Sequence, residues 1–246
     1  DLSALDTSQV TDMSYMFQFS QKLASLNLTS FNTENVTNMK AMFQGCYELT
    51  ELSIGEGFDT SKVTDMTVMF SLCGKLSNYS FLTLFNTENV TSMSQMFYGN
   101  NSAHTLDLSS FDTSHVTNMY RMFFDCSSLK SLEFGNSFDT SSVTNMADMF
   151  ALCINLSALD VTGFNTSKVT TMRTMFSTCR ALTTLDVSSF DTSNVTDMYG
   201  MFNSCLALTE LNLENFNTSN VTDMRQMFTN CYALTKLDVS SFDTSE

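Results

Sequence analysis

Seven Cys, eighteen Met, two His and many Asp, Asn, Ser and Thr are the residues here with chemistry to offer. Thiols beside thioethers could hold a soft metal such as Cu(I) or build disulfides. Ser, His and Asp could form a nucleophilic triad, and stacked carboxylates could bridge Ca²⁺. Spacing decides among these. All seven cysteines, Cys46, Cys73, Cys126, Cys153, Cys179, Cys205 and Cys231, lie three residues past a Met-Phe pair. CxxC spacing is absent, which argues against a metal. Bridging needs Cα atoms about 4.4–6.8 Å apart, met at strand spacing but not between helices packed about 8–10 Å apart. Seven is also odd, so the expected role is a buried structural column of free thiols, with a disulfide ladder as the rival.

The methionines fall in two columns, Met13 to Met224 and Met16 to Met227, three residues apart on the apolar side, which favours core packing over a copper site. His104 and His115 belong to different parts of their unit, and no nucleophile elbow, P-loop, HExxH or Gly-rich phosphate loop is present. No catalytic residue, cofactor or metal is therefore expected, and the chain reads as non-enzymatic. A line of Asp6, Asn32, Asp59, Asn86, Asp112, Asp139, Asn165, Asp191, Asn217 and Asp243 could share Ca²⁺ between units. The Gly-rich loop of calcium-binding repeats is missing, so Asx turns are the preferred reading.

These columns exist because the chain repeats. Val-Thr recurs at Val10, Val36, Val63, Val90, Val116, Val143, Val169, Val195 and Val221, at intervals of 26 or 27 residues, defining nine units. After each Val-Thr, Met, Met and Phe fall at i, i+3 and i+4, with Cys at i+7 except for Ser20 and Asn100 in the first and fourth units, which predicts a short helix of about nine residues, Asp65 to Cys73 for example. Thr followed by Asp or Asn suits its N-terminus. Next comes Leu-x-x-Leu-x-apolar, as in Leu182, Leu185 and Val187, which predicts a strand buried on one face. A Phe column and the Asx turn complete the unit. One strand and one helix cannot bury their apolar face alone, so the units must stack. The expected fold is an α/β repeat solenoid, leucine-rich-repeat-like, with one short parallel β-strand and one short helix per unit and a sheet on the order of 40 Å long. The fourth unit departs most, with Asn100 for Cys and Ala103 for Leu, where a packing defect or bend is expected.

Composition agrees with one folded domain over 1–246. The chain is 43% hydrophobic, has no Pro or Trp and only eight Gly, and offers no linker. No apolar run approaches the roughly 20 residues of a membrane span. A net charge of −15 leaves no basic footprint for nucleic acid. Neither Asp1-Leu2 nor Ser245-Glu246 belongs to a polar capping unit, so a fragment of a longer array is expected. Asn-x-Ser/Thr at Asn35, Asn89, Asn194 and Asn220 reports the repeat before it reports glycosylation.

The positions flanking the second Leu of each unit should face solvent. They carry Glu51, Asp107, Glu133, Asp160, Asp186, Glu210 and Asp238 against a single base, Lys236. An acidic, repetitive, flat or concave face suits basic or extended partners; solubility alone is the alternative.

The stretch Leu-Asp-Val-Ser-Ser-Phe-Asp-Thr-Ser-Asn-Val-Thr-Asp-Met-Tyr-Gly-Met-Phe-Asn-Ser-Cys at 185–205 resembles the BspA-like leucine-rich-repeat surface proteins. Within them it is similar to the branch with a Phe-Asp-Thr-Ser-x-Val-Thr-x-Met-x-x-Met-Phe core, described in mycoplasmas and lactobacilli. The resemblance spans the whole chain. It implies extracellular or cell-surface display and a role in adhesion, with a host or matrix protein or a glycan as partner. A stalk or end-to-end self-associating fibre is the second expectation.

Overall fold

The computed structural model describes residues 2–243; Asp1 and Ser245-Glu246, where the absence of capping units was read, lie outside the described residues. Nine units stack in register. Each contributes two stretches to the pile, and these behave differently.

The first stretch runs from Val-Thr to the Cys column, and here the expected helix does not form; among the described residues the one helical segment is a 3₁₀ turn at Ser80–Leu84. Asp12, Asn38, Asp65, Ser92, Asn118, Asn145, Thr171, Asp197 and Asp223 instead pair in parallel, each with the next, through all nine units. Beyond them alternate amides point along the pile. Met13, Tyr15, Phe17 and Phe19 donate to Asn38, Lys40, Met42 and Gln44 carbonyls at 2.7–3.0 Å. The amides between them close tight turns, Met16 to Met13, Gln18 to Tyr15 and Ser20 to Phe17. Two residues per unit are left-handed, such as Tyr15 (φ 61°) and Phe19 (φ 55°), at the third place of their turns as in type II geometry.

The physical reason is spacing. Phe17, Phe43, Phe70, Phe97, Phe123, Phe150, Phe176, Phe202 and Phe228 form a continuous ring stack with centroids 5.3–6.0 Å apart. Helices need about 8–10 Å between axes, so one per unit does not fit. A chain of turns also returns inward every three to four residues and therefore satisfies the same Met, Met, Phe, Cys columns. Left-handed backbone costs about 1–2 kcal/mol at a non-glycine residue, and units 2, 4 and 8 relieve one instance with Gly45, Gly99 and Gly200. Hydrogen bonds to the neighbouring unit on both sides of each such residue hold it there.

The second stretch carries the strands, β1 (Ser25–Leu28), β2 (Glu51–Ile54), β3 (Thr105–Leu108), β4 (Ser131–Phe134), β5 (Glu210–Leu211) and β6 (Lys236–Leu237). The continuous sheet expected on this side is replaced by three parallel pairs, β1–β2, β3–β4 and β5–β6. Unit 3 interrupts it with the 3₁₀ turn, made where its strand-to-Phe loop holds one extra residue. In units 6 and 7 the corresponding segments are unpaired.

Between the two stretches lies the core. Val, both Met columns, the two Phe columns, Cys and Leu fill it, and most are wholly buried from unit 2 to unit 8. Asn100 and Ala103 are also fully buried. Around them Phe70, Tyr79, Phe81, Phe85 and Phe97 gather into one aromatic cluster, adding ring volume where the fourth unit has small or polar residues. Asn100 Oδ1 accepts from the Cys73 amide at 3.0 Å, while Asn100 Nδ2 and the Tyr79 hydroxyl are buried without a partner.

Candidate binding face

The ladder side satisfies itself. Every thiol donates to the carbonyl of the Phe one unit earlier, from Cys46 to Phe17 at 3.2 Å through Cys231 to Phe202 at 3.1 Å. Burial pushes these thiols up, to about 12 at Cys126 and Cys205, so the nucleophilic thiolate is disfavoured. All seven are free, six of them buried and Cys231 partly so. In this arrangement the cysteines act as hydrogen-bonding core residues.

A second column went unread in the sequence. Thr7, Thr33, Thr60, Thr87, Thr113, Thr140, Thr166, Thr192 and Thr218 are buried, and each hydroxyl donates to the main chain of the next unit, as Thr140 does to Asn165 O at 2.9 Å. The Asn165 amide returns the bond to Thr140 Oγ1 at 2.8 Å. Its signal was present, an invariant Thr in a position otherwise treated as part of a turn. Beside it, Asp6 through Asn217 accept the amide two residues on at 2.8–3.0 Å, so these side chains form Asx turns. Asn35, Asn89, Asn194 and Asn220 donate their side-chain amides to Ser carbonyls one unit back, occupying the nitrogen a glycan would need.

Both histidines are tied to the main chain. His104 Nδ1 meets Ser102 O at 3.0 Å and His115 Nδ1 meets Glu88 O at 2.9 Å, both main-chain acceptors that require a protonated Nδ1. Ser114 stands between Asp112 and His115, at 2.7 and 3.3 Å. A working triad places His between Ser and Asp, so this order cannot relay a proton. Among the described residues no three His, Cys, Asp or Glu side chains converge as a metal site, and no helix is long and apolar enough to cross a membrane.

The strand side is where polar groups remain available. Glu51, Asp107, Glu133, Asp160, Asp186, Glu210 and Asp238 are all exposed. Asp107 stands opposite Glu133 in the β3–β4 register, and Glu210 opposite Lys236 in β5–β6. Glu51 is in β2, whereas Asp160 and Asp186 sit on the unpaired segments, so the seven occupy one side but not one sheet. Four of them also shape the chain. Asp107, Asp160, Asp186 and Asp238 accept the amides of Ser109, Thr162, Ser188 and Ser240 at 2.9 Å. The hydroxyls and then the amides of those same residues hold the four carboxyls below their ordinary value. Over units 6 to 9 the face sinks into a shallow groove of about 880 Å³ that includes Asp160, Asp186, Glu210, Lys236 and Asp238.

The chain belongs to the family described as Mycoplasma protein of unknown function, DUF285, which it matches over residues 1–79, 50–157, 106–210 and 152–246. No curated protein matches it. Among solved structures it is similar to a leucine-rich repeat protein from Bacteroides ovatus ATCC 8483, at 17% identity over 92% of this chain and 76% of that one, with a TM-score of 0.37. A leucine rich cell surface protein from Faecalibacterium prausnitzii A2-165 is similar at 16% identity over 90% and 74%, with a TM-score of 0.32.

Proposed function

We propose that this chain is a non-enzymatic binding module of the BspA-like leucine-rich-repeat type, displayed outside the cell, whose acidic strand face engages a protein or glycan. One observation carries the reading: seven exposed carboxylates share the strand side, while on the other side alternate amides, thiols and buried threonines bond to the neighbouring unit. Acidic surface of this kind steers and selects cationic partners and is weakened by salt. The test is interferometry of the protein against a panel of matrix proteins and glycans at low and high salt. It is run beside a variant carrying Asp107→Lys, Glu133→Lys, Asp160→Lys and Asp186→Lys. Salt-sensitive binding lost in the variant is expected; binding unchanged by all four reversals would remove the acidic face from the account.

A second reading, a stalk or self-associating fibre, draws on the unbroken ladder and ring stack from Phe17 to Phe228. Silence across the panel together with concentration-dependent association of the chain would favour it.

A further inference from the structure

Units without the extra loop residue carry a small polar side chain directly before their Phe: Ser30, Ser110, Ser189, Asn215 and Ser241. Ser110, Asn215 and Ser241 reach back to the unit before, donating to the carbonyls of Leu82, Ser188 and Leu213, each at 3.1 Å. Unit 6 has Gly163 in this place, and a Cβ there would meet nothing within 4 Å. On the other side of that gap stands the longer loop of unit 5, which leans away. Gly135 lies so close to the Ser109 carbonyl that a side chain would collide with it, and Ser137 O accepts the Thr113 amide at 3.2 Å. A longer unit leaning back, followed by a shorter one without its sealing side chain, leaves a cavity of about 410 Å³ between units 5 and 6. Unit 2 has the same extra residue, but unit 3 behind it has one too and buries Phe81 and Leu82 in its 3₁₀ turn. Small-molecule sites have volumes of about 300–1,000 Å³.

The walls of this cavity are aromatic and its exposed residues acidic. Phe138 and Phe164 are buried, and half-buried Phe134 stands against them at 4.4 and 5.4 Å between centroids. Leu108 holds the place of Phe134 in the paired strand, so an aromatic ring stands here where an aliphatic side chain serves next door. Glu133 and Asp160 line the same cavity and are exposed, and no Lys or Arg lines it. Ring faces and carboxylates both attract positive charge, and the rings also favour an apolar body that displaces water from them. A neutral apolar ligand would cover the carboxylates without compensating their lost hydration.

We infer that the cavity between units 5 and 6 binds an alkylammonium group, with its apolar body against Phe134 and its charge beside Glu133 and Asp160. The inference rests on the strand side being the binding face, and it names one site there and the chemical group that site takes. A free quaternary ammonium compound and a lysine side chain share this chemistry.

The test titrates the whole chain by ligand-detected NMR with choline, with its uncharged carbon isostere dimethylbutanol, and with N-acetyl-lysine methylamide. Gly163→Leu fills the cavity, because the backbone there lies outside the left-handed region and the space in front of it is open. Phe134→Leu removes the ring and keeps the residue type that Leu108 supplies in β3. Asp186→Asn, outside the cavity, is the control. Choline is expected to bind at least about fivefold more tightly than dimethylbutanol, with a loss of about tenfold in Gly163→Leu and about threefold in Phe134→Leu. Asp186→Asn should leave the affinity unchanged, and Gly163→Leu should melt as the parent chain does. Tighter binding of choline would assign the site to a free organic cation, and tighter binding of the lysine derivative to a peptide; both uphold it. Equal binding of dimethylbutanol, choline binding untouched by Gly163→Leu, or no binding of either cation would overturn the inference. The acidic face would still stand in that event if matrix binding remained sensitive to the four charge reversals, and would fall with the cavity if it did not.

Discussion

The two sides of this solenoid are built from the same nine units and differ in nearly every physical respect. On the ladder side the ring stack repeats at 5.3–6.0 Å, parallel pairing runs from Asp12 to Asp223, and thiols, buried threonines and alternate amides all bond to a neighbouring unit. On the strand side pairing survives in three short patches, a 3₁₀ turn interrupts it, and two units are unpaired. The stacked Phe pairs nearer the strands are looser, at 5.9–6.5 Å. The difference teaches that one side suffices to set register and spacing. Once the ladder fixes the pile, the strands need not pair throughout, and their outward residues are free to differ from unit to unit.

The sharpest way to break this comparison is to cut the ring stack. Phe123→Ala, between Phe97 and Phe150, removes a fully buried ring and is expected to cost about 3–5 kcal/mol in urea unfolding. Leu159→Ala, half-buried in an unpaired segment, should cost less than about 2 kcal/mol. Equal losses would mean the sides share the stability evenly.

Thr140→Val is next in size. It keeps the shape but strands the Asn165 amide and carbonyl, for an expected loss of about 1–3 kcal/mol. Thr144→Val, in an exposed column, should stay within about 0.5 kcal/mol. A smaller effect of opposite sign is expected where the strand side is irregular. Tyr79→Phe deletes a buried hydroxyl with no partner and should leave melting unchanged or raise stability by up to about 1 kcal/mol.

The smallest effect is with pH. Asp107, Asp160, Asp186 and Asp238 have folded values below the ordinary 3.8, so their contribution is present above that pH and is lost as pH falls through the folded values. Asp125, raised by burial, acts in the opposite sense. Melting temperature should therefore hold between pH 7 and 5, fall below about pH 4, and fall less steeply in Asp186→Asn, whose amide keeps the turn without titrating.

How much of this was legible follows from what each signal encodes. Period, columns, buried identities and the exposure of the seven acids come directly from which residues are apolar and where, and stacking follows because one unit cannot close a core. The helix was misread because inward residues at i, i+3, i+4 and i+7 fit a run of tight turns as well as a helix. Its true marker, left-handed backbone, falls on Tyr15, Val68 and Arg121 among others, residue types that give no hint of it. The groove was invisible for a different reason. Leu159-Asp160-Val161 in an unpaired unit reads like Leu106-Asp107-Leu108 in β3, so pairing depends on the packing of neighbouring units and not on local pattern.

Residue-resolved hydrogen exchange on the whole chain measures the asymmetry most directly. Amides of Arg121, Phe123, Asp148 and Phe150, bonded across units, should exchange slowly, while those of 158–161 and 184–187 should exchange rapidly although they lie in the same or the next unit. Comparable protection on the two sides, or slower exchange on the strand side, would contradict the claim that the ladder alone holds the pile in register.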